Sequence, residues 1–242
     1  MSHKIELKEG AVIISDAHFS HQRPELLRLI KKIESKKLQT PQLILMGDVF
    51  DALFGQVPHT HKINSQMISL LNALSKDIEL IYLEGNHDFN LIKLFPKAKV
   101  CSLAMQPLIC TYKNKKIALA HGDFDVSTGY LRYTKIIRNP FILLILSFID
   151  KIGNHFILKR LDTHLAKKDD CKEFLGFKKF IQNRTLEEYN CDYFIEGHYH
   201  QNNLYHFSKY TYINLAAFAC NQRYFIVKSS KDKELLIEEK LS

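Results

Sequence analysis

Leu43-Ile-Leu-Met-Gly-Asp-Val-Phe-Asp51 joins a short apolar run to a polar cluster that opens on a glycine. Four apolar residues in a row fit a buried strand, and Gly47 permits the tight turn that presents Asp48 and Asp51 at its carboxyl end. The pattern recurs. Ala11-Val-Ile-Ile-Ser15 runs into Asp16-Ala-His18, and Ile78-Glu-Leu-Ile-Tyr-Leu83 runs into Gly85-Asn-His-Asp88. His121-Gly-Asp123 follows the second of two strands read over residues 106–120, and Gly197-His-Tyr-His200 follows a strand at 192–196. Ligands of α/β sheets bind outside the carboxyl ends of the strands, so five distant segments are expected to meet at one place.

The intervening sequence sets the fold class. Pro24 opens a helix with Leu26, Leu27, Ile30 and Ile33 on one face, and a second amphipathic stretch runs from Lys62 to Leu74. Strands alternating with such helices predict β-α-β units, whereas Lys113-Asn-Lys115 between two strands predicts a hairpin and hence a mixed sheet. From Gly129 to Asn190 the chain reads as helical and basic, and strands return at 192–196, 203–207, 210–215 and 223–227. The expectation is a single α/β domain over residues 1–242, interrupted at 126–190 by a helical cap of roughly 60 residues.

Composition bounds the partners. There are 34 Lys and Arg against 26 Asp and Glu, a net charge of +8, with 46% hydrophobic residues and 12 histidines. These are globular values that exclude a disordered chain, and the charge favours an anionic partner. The five cysteines are scattered without a C-x-x-C, which predicts free or buried thiols in a reducing compartment. A polar amino terminus without an apolar signal core predicts a cytoplasmic protein. The apolar run Phe141–Ile149 is too short to cross a bilayer, which takes about 20 residues in a helix. With Lys135, Arg138, Lys151, Lys159 and Arg160 beside it, the run suits cap core, an acyl pocket or an anionic membrane surface.

Carboxylates, imidazoles and an asparagine, with no thiolate among them, suit two divalent cations, manganese first, with iron or zinc accepted by the same donors. The series Asp-x-His, Gly-Asp-x-x-Asp, Gly-Asn-His-Asp, His-Gly-Asp and Gly-His-x-His resembles the calcineurin-like metallophosphoesterase superfamily, whose fold is two mixed β-sheets sandwiched between helices. The resemblance implies one metal on Asp16, His18, Asp48 and His200, and another on Asp48, Asn86, His121 and His198. It implies a catalytic role for His87 at the phosphate or leaving group, with Asp88 orienting it, and a supporting role for Asp51.

Within that superfamily Gly47–Gly55, Asp88-Phe89 and the cap beginning with Tyr130-Leu-Arg-Tyr133 resemble the UDP-2,3-diacylglucosamine hydrolases of lipid A synthesis. The resemblance implies water attack on a pyrophosphate to release UMP and lipid X, a phosphorylated glycolipid partner and peripheral contact with the inner membrane. Tyr130, Arg132, Arg160, Lys167 and Lys168 are the candidate substrate contacts. The chain departs from that family at His87, where arginine is common, and at Asp51, where glutamate is frequent. A phosphodiesterase or phosphatase acting on a soluble nucleotide or other phosphoester is the alternative, and a non-catalytic metal-binding scaffold is another. Nucleic acid is disfavoured, because no aromatic-basic platform accompanies the charge. Oligomeric state has no signal in the sequence.

Overall fold

The computed structural model describes residues 5–125, 128–228 and 235–241. In chain order its strands are β1 (Ile5–Glu6), β2 (Val12–Ile14), β3 (Gln42–Leu45), β4 (Leu53–Phe54), β5 (Glu79–Leu83), β6 (Asp88–Phe89), β7 (Lys99–Cys101), β8 (Leu108–Tyr112), β9 (Lys115–Ala120), β10 (Tyr193–Glu196), β11 (Asn203–His206), β12 (Thr211–Asn214), β13 (Arg223–Val227) and β14 (Leu236–Lys240). Its helices are α1 (Glu25–Glu34), α2 (Pro58–Ile63), α3 (Ser65–Leu74), α4 (Thr128–Ile137), α5 (Pro140–Ile152), α6 (Phe156–Leu165), α7 (Phe177–Gln182) and α8 (Phe218–Asn221).

Two six-stranded mixed sheets stack face to face, in the orders β1-β8-β9-β10-β12-β11 and β14-β13-β2-β3-β5-β7. Alternating residues of each strand feed different cores. Ile13, Ile44, Ile81 and Leu83 meet Ile117, Leu119, Ile195 and Ile213 between the sheets. Their neighbours Val12, Ile14, Leu43, Leu45, Leu80 and Tyr82 face the other way and pack with Leu26, Leu29 and Ile30 of α1 and Met67 and Leu71 of α3. On the far side Ala118, Ala120, Phe194 and Tyr212 pack with Phe177 and Ile181 of α7. Both faces are buried, which is why these strands read as unbroken apolar runs.

The stretch expected to be one helix from Lys62 to Leu74 is broken at Asn64. The Asn64 side chain is buried and donates to the carbonyls of Ala52 and Thr60 at 3.1 and 3.0 Å, and a new helix starts behind it. The helices α4 to α7 lie between β9 and β10; residues 126 and 127, where the cap was expected to begin, fall outside the described residues. No single helix among the described residues is long and apolar enough to cross a membrane. The reading of all five cysteines as free thiols needs correction: Cys171, before α7, is disulfide-bonded to Cys220 of α8. The two are 49 residues apart, a spacing without local signature, and only Cys101, Cys110 and Cys191 are free and buried.

Candidate metal centre

The strands β2, β3 and β5 run parallel in one sheet, and β9 and β10 run parallel in the other. Their carboxyl ends bring the five motifs together. Ligand atoms of Asp16, His18 and His200 lie within 4.8 Å of one another, as do those of Asp48, His121 and His198, and those of His18, Asp48 and His87. Asn86 joins the second group, its Oδ1 3.2 Å from His121 Nε2.

The backbone here is bent into conformations that side-chain-bearing residues rarely adopt. Asp16, His18, Asp48, His198 and His200 all have positive φ, between 44° and 61°. Such strain persists only where the surroundings enforce it, and it clusters at functional sites. Glycines supply the room: a Cβ on Gly47 (φ +88°) would fall 2.5 Å from His121 Nδ1, and one on Gly197 would fall 2.3 Å from Asp16 Oδ2.

Each ring is oriented from behind. His121 Nδ1 donates to the Met46 carbonyl (3.0 Å), which leaves Nε2 facing Asp48 Oδ2 at 3.4 Å. His200 Nδ1 donates to the Asp170 carbonyl, leaving Nε2 3.0 Å from Asp16 Oδ1. The His198 amide donates to both oxygens of Asp16, and the His87 amide donates to Asp48 Oδ1 at 2.8 Å. His18 is buried with neither ring nitrogen hydrogen-bonded, although Asp51 Oδ1 approaches Nδ1 to 3.3 Å. An orphaned imidazole beside two carboxylates and two more rings is what a metal site presents. The donor set, oxygen and nitrogen only, fits divalent cations such as manganese, iron or zinc.

The charges suit the same use. Burial opposes ionisation of Asp16, yet the His200 ring outweighs it and holds the carboxyl well below its usual range. Burial likewise opposes ionisation of Asp48, and His121 and His87 overcome it. Burial also disfavours the cationic form of His121, but Asp48 raises its pKa well above the usual value. His198 has no such relief: burial and the neighbouring His121 push it down to about 3, so its ring is neutral.

His87 Nδ1 lies 2.9 Å from the Asp51 carbonyl, and its Nε2 lies 3.9 Å from Asp48 Oδ2. The expected partnership of Asp88 with His87 is corrected by the structure. The Asp88 carboxylate instead accepts the amides of Asp48, Val49, Phe50 and Gly85 and the Tyr82 hydroxyl (2.7 Å), fastening the second and third motif loops together.

A cavity of about 420 Å³ opens beside Asn86, His87 and Asp51 and runs under α4, α5 and α6. Its far end is apolar, with Leu143, Leu146, Leu158 and Leu161 in its wall. Tyr130, a candidate substrate contact, lines it. Arg132, Arg160 and Lys167 are exposed and do not line it, and Lys168 pairs with Asp170 at 3.4 Å on an open groove by His198 and His200. Sequence reading passed over Arg138 as a site residue, though it stands in the cavity wall and reaches Asp123 and the Gly85 carbonyl, both at 2.9 Å. Asp170, which sets the His200 ring, has no motif around it to mark it either.

UDP-2,3-diacylglucosamine hydrolase of Pseudomonas fluorescens SBW25 is 24% identical over 195 residues, covering 78% of each chain. The enzyme of that name from Ectopseudomonas mendocina is 27% identical over 199 residues, 78% of this chain and 81% of its own. Among solved structures, an archaeal phosphodiesterase aligns over 96% of this chain and 99% of its own at 13% identity (TM-score 0.45), and Yfce, a phosphoesterase from E. coli, over 96% and 99% at 11% identity (TM-score 0.46). A family model for calcineurin-like phosphoesterases matches residues 11–202. The motif order, the stacked sheets and that match together make the chain a hydrolase of phosphoester or pyrophosphate bonds and a member of the calcineurin-like phosphoesterase family.

Proposed function

We propose that the chain hydrolyses the pyrophosphate of UDP-2,3-diacylglucosamine to UMP and lipid X. The observation that carries this reading is the apolar cavity that opens at His87 and Asn86. A site for a soluble nucleotide has no use for a leucine-lined chamber of about 420 Å³ beside its metal ligands, whereas acyl chains do. The names of the curated relatives support the same substrate.

Two divalent ions, manganese on this reading, would be held by Asp16, His18, Asp48 and His200 and by Asp48, Asn86, His121 and His198. When bound they would neutralise phosphoryl oxygens and acidify water. The chain's own groups do the rest. Asp48 stands between the two donor sets, with the His87 amide and the Asp88-anchored loop fixing its position. His87, its Nδ1 proton held by the Asp51 carbonyl, offers Nε2 to the departing phosphate. The cavity wall takes the acyl chains and keeps water from the lipid side of the bond.

The outer face of α5 supports peripheral contact with the cytoplasmic side of an anionic membrane. Phe141, Phe148 and Ile152 are 70%, 65% and 72% exposed, on a helix with Lys151 in its last turn. The test is UMP release from detergent-solubilised UDP-2,3-diacylglucosamine with Mn²⁺, beside bis-p-nitrophenyl phosphate and cyclic nucleotides. The lipid substrate is expected to have the highest kcat/KM, and Asp48→Ala to abolish turnover. Faster turnover of a soluble diester refutes the substrate, and a metal-loaded protein inert to all of them revives the scaffold reading.

A further inference from the structure

The cavity wall contains one guanidinium with an unused donor. Arg138 follows the last turn of α4 and its side chain is only 12% exposed. Its Nη2 donates to the Gly85 carbonyl and to Asp123 Oδ2, both at 2.9 Å. The Phe89 ring lies beneath the guanidinium carbon at 5.0 Å. The main chain is held as well, because Asn90 Nδ2 donates to the Arg138 carbonyl at 2.8 Å. Three side-chain contacts and one to the main chain therefore fix this residue in one pose.

Nη1 is different. It is buried, has no hydrogen-bond partner among the described residues, and stands 4.0 Å from Glu84 Oε2, beyond hydrogen-bond reach. Nη1 and Asp123 Oδ1 are both enclosed and unpaired, so it is the rest of the guanidinium that lines the cavity. The acidic lining residues are Asp51 and Asp150, and Arg138 is the one fixed cation among the described lining residues. It stands in the same wall as Asn86 and His87 at one end and Leu143 and Leu158 at the other.

We propose that Arg138 is a specificity-determining residue whose guanidinium donates to a phosphate oxygen on the lipid side of the substrate. On the pyrophosphate reading above, on which this rests, that is the phosphate that stays with the acylated sugar. The cavity then selects amphiphiles with a phosphate at the head over neutral ones of the same chain length. Because Gly85 and Asp123 already hold Nη2, little side-chain freedom is lost when the ligand arrives.

The probes are decyl phosphate and uncharged decyl glucoside, titrated below their micelle concentrations into the full-length Mn²⁺-loaded protein. The pull of the metals on phosphate is common to wild type and variants, so the ratio of the two affinities is the readout. R138M is expected to lower that ratio roughly 10- to 100-fold, the usual worth of a charge-assisted hydrogen bond. R138K, which keeps the charge and guards against a fold lost in R138M, is expected to fall between. A ratio that changes less than twofold in the folded variants overturns the proposal and leaves Arg138 a strut. So does a wild type that binds both amphiphiles equally. If wild type shows the Arg138-dependent preference but releases no UMP from UDP-2,3-diacylglucosamine, the substrate assignment falls and this inference stands. UMP release with an Arg138-independent ratio has the opposite meaning.

Discussion

Gly85 offers a clean perturbation of the candidate centre, because its Cα faces the carboxylate shared by the two donor sets. A methyl group there would fall 2.2 Å from Asp48 Oδ1, 2.4 Å from Asp48 N and 2.9 Å from Asp48 Cγ. Cβ atoms essentially never approach heavy atoms closer than 3.0 Å, so in Gly85→Ala the two loops must separate by about 0.8 Å. Neither can yield freely. The Asp48 amide is tied to Asp88 at 3.0 Å, and Asp48 Oδ1 takes the His87 amide at 2.8 Å. Overpacking on this scale costs about 1–3 kcal/mol, equivalent to a fall in Tm of about 2–12 °C for a chain of this size. Displacing reacting groups by nearly 1 Å costs about 100-fold in rate. The expected variant is therefore folded, melts a few degrees lower and retains about 1% of wild-type kcat/KM. Mn²⁺-dependent hydrolysis of bis-p-nitrophenyl phosphate and a thermal melt measure both effects. Gly129→Ala is the control, since a Cβ there meets nothing within 4 Å. A Gly85→Ala enzyme within threefold of wild type would refute the idea that Asp48 must sit where it does.

Asp88→Asn puts an amide group among five converging donors and should lower stability by about 3–5 kcal/mol in urea denaturation; a loss below about 1 kcal/mol contradicts the fastening role. His121 and His200 have raised pKa values because Asp48 and Asp16 overcome the opposing effect of burial. In metal-free protein their contribution to stability is full below the ordinary histidine value of 6.5 and declines as pH rises through the raised folded values. The depressed Asp16 and Asp48 contribute above 3.8 and lose that contribution as the pH falls through their folded values. Mn²⁺ must expel the histidine protons, so its affinity should rise with pH above 6.5 and binding should release protons; calorimetry in two buffers of different ionisation heat that detects no release rules this out. Leu158→Trp fills part of the cavity and should raise KM for the diacyl substrate about tenfold, more than for bis-p-nitrophenyl phosphate; equal effects on both would detach the acyl chains from this chamber.

The candidate ligands were legible because each sits directly behind an apolar strand, and parallel strands leave their carboxyl ends little choice of where to go. The sheet cores were legible too, since double-sided burial leaves nearly continuous apolar runs such as Leu43–Met46. What failed to show depended on long-range packing. β1, β4, β6 and β7 are two or three residues long and carry no periodicity to detect. The family resemblance implied that Asp88 orients His87, yet its carboxylate takes the amides of Asp48, Val49 and Phe50 in another loop. Arg138 was grouped with the basic flanks of an apolar run; only the docking of α4 turns it toward Gly85 and Asp123. Of the candidate contacts, Arg160 shared that grouping, and Arg132, Arg160 and Lys167 all face solvent.

The bond between Cys171 and Cys220 changes what it means to cut this chain. It closes a covalent ring around β10, β11 and β12, together with His198 and His200. A single nick inside that ring leaves both fragments tethered, so a non-reducing gel still reports an intact mass while a reducing gel shows two bands. The other three thiols do not blur that contrast. Burial pushes Cys101 to about 11 and Cys110 to about 12, and raises Cys191 as well, which keeps all three protonated and slow to exchange. Protein purified with and without a reductant is thus two covalent species that differ at one known place.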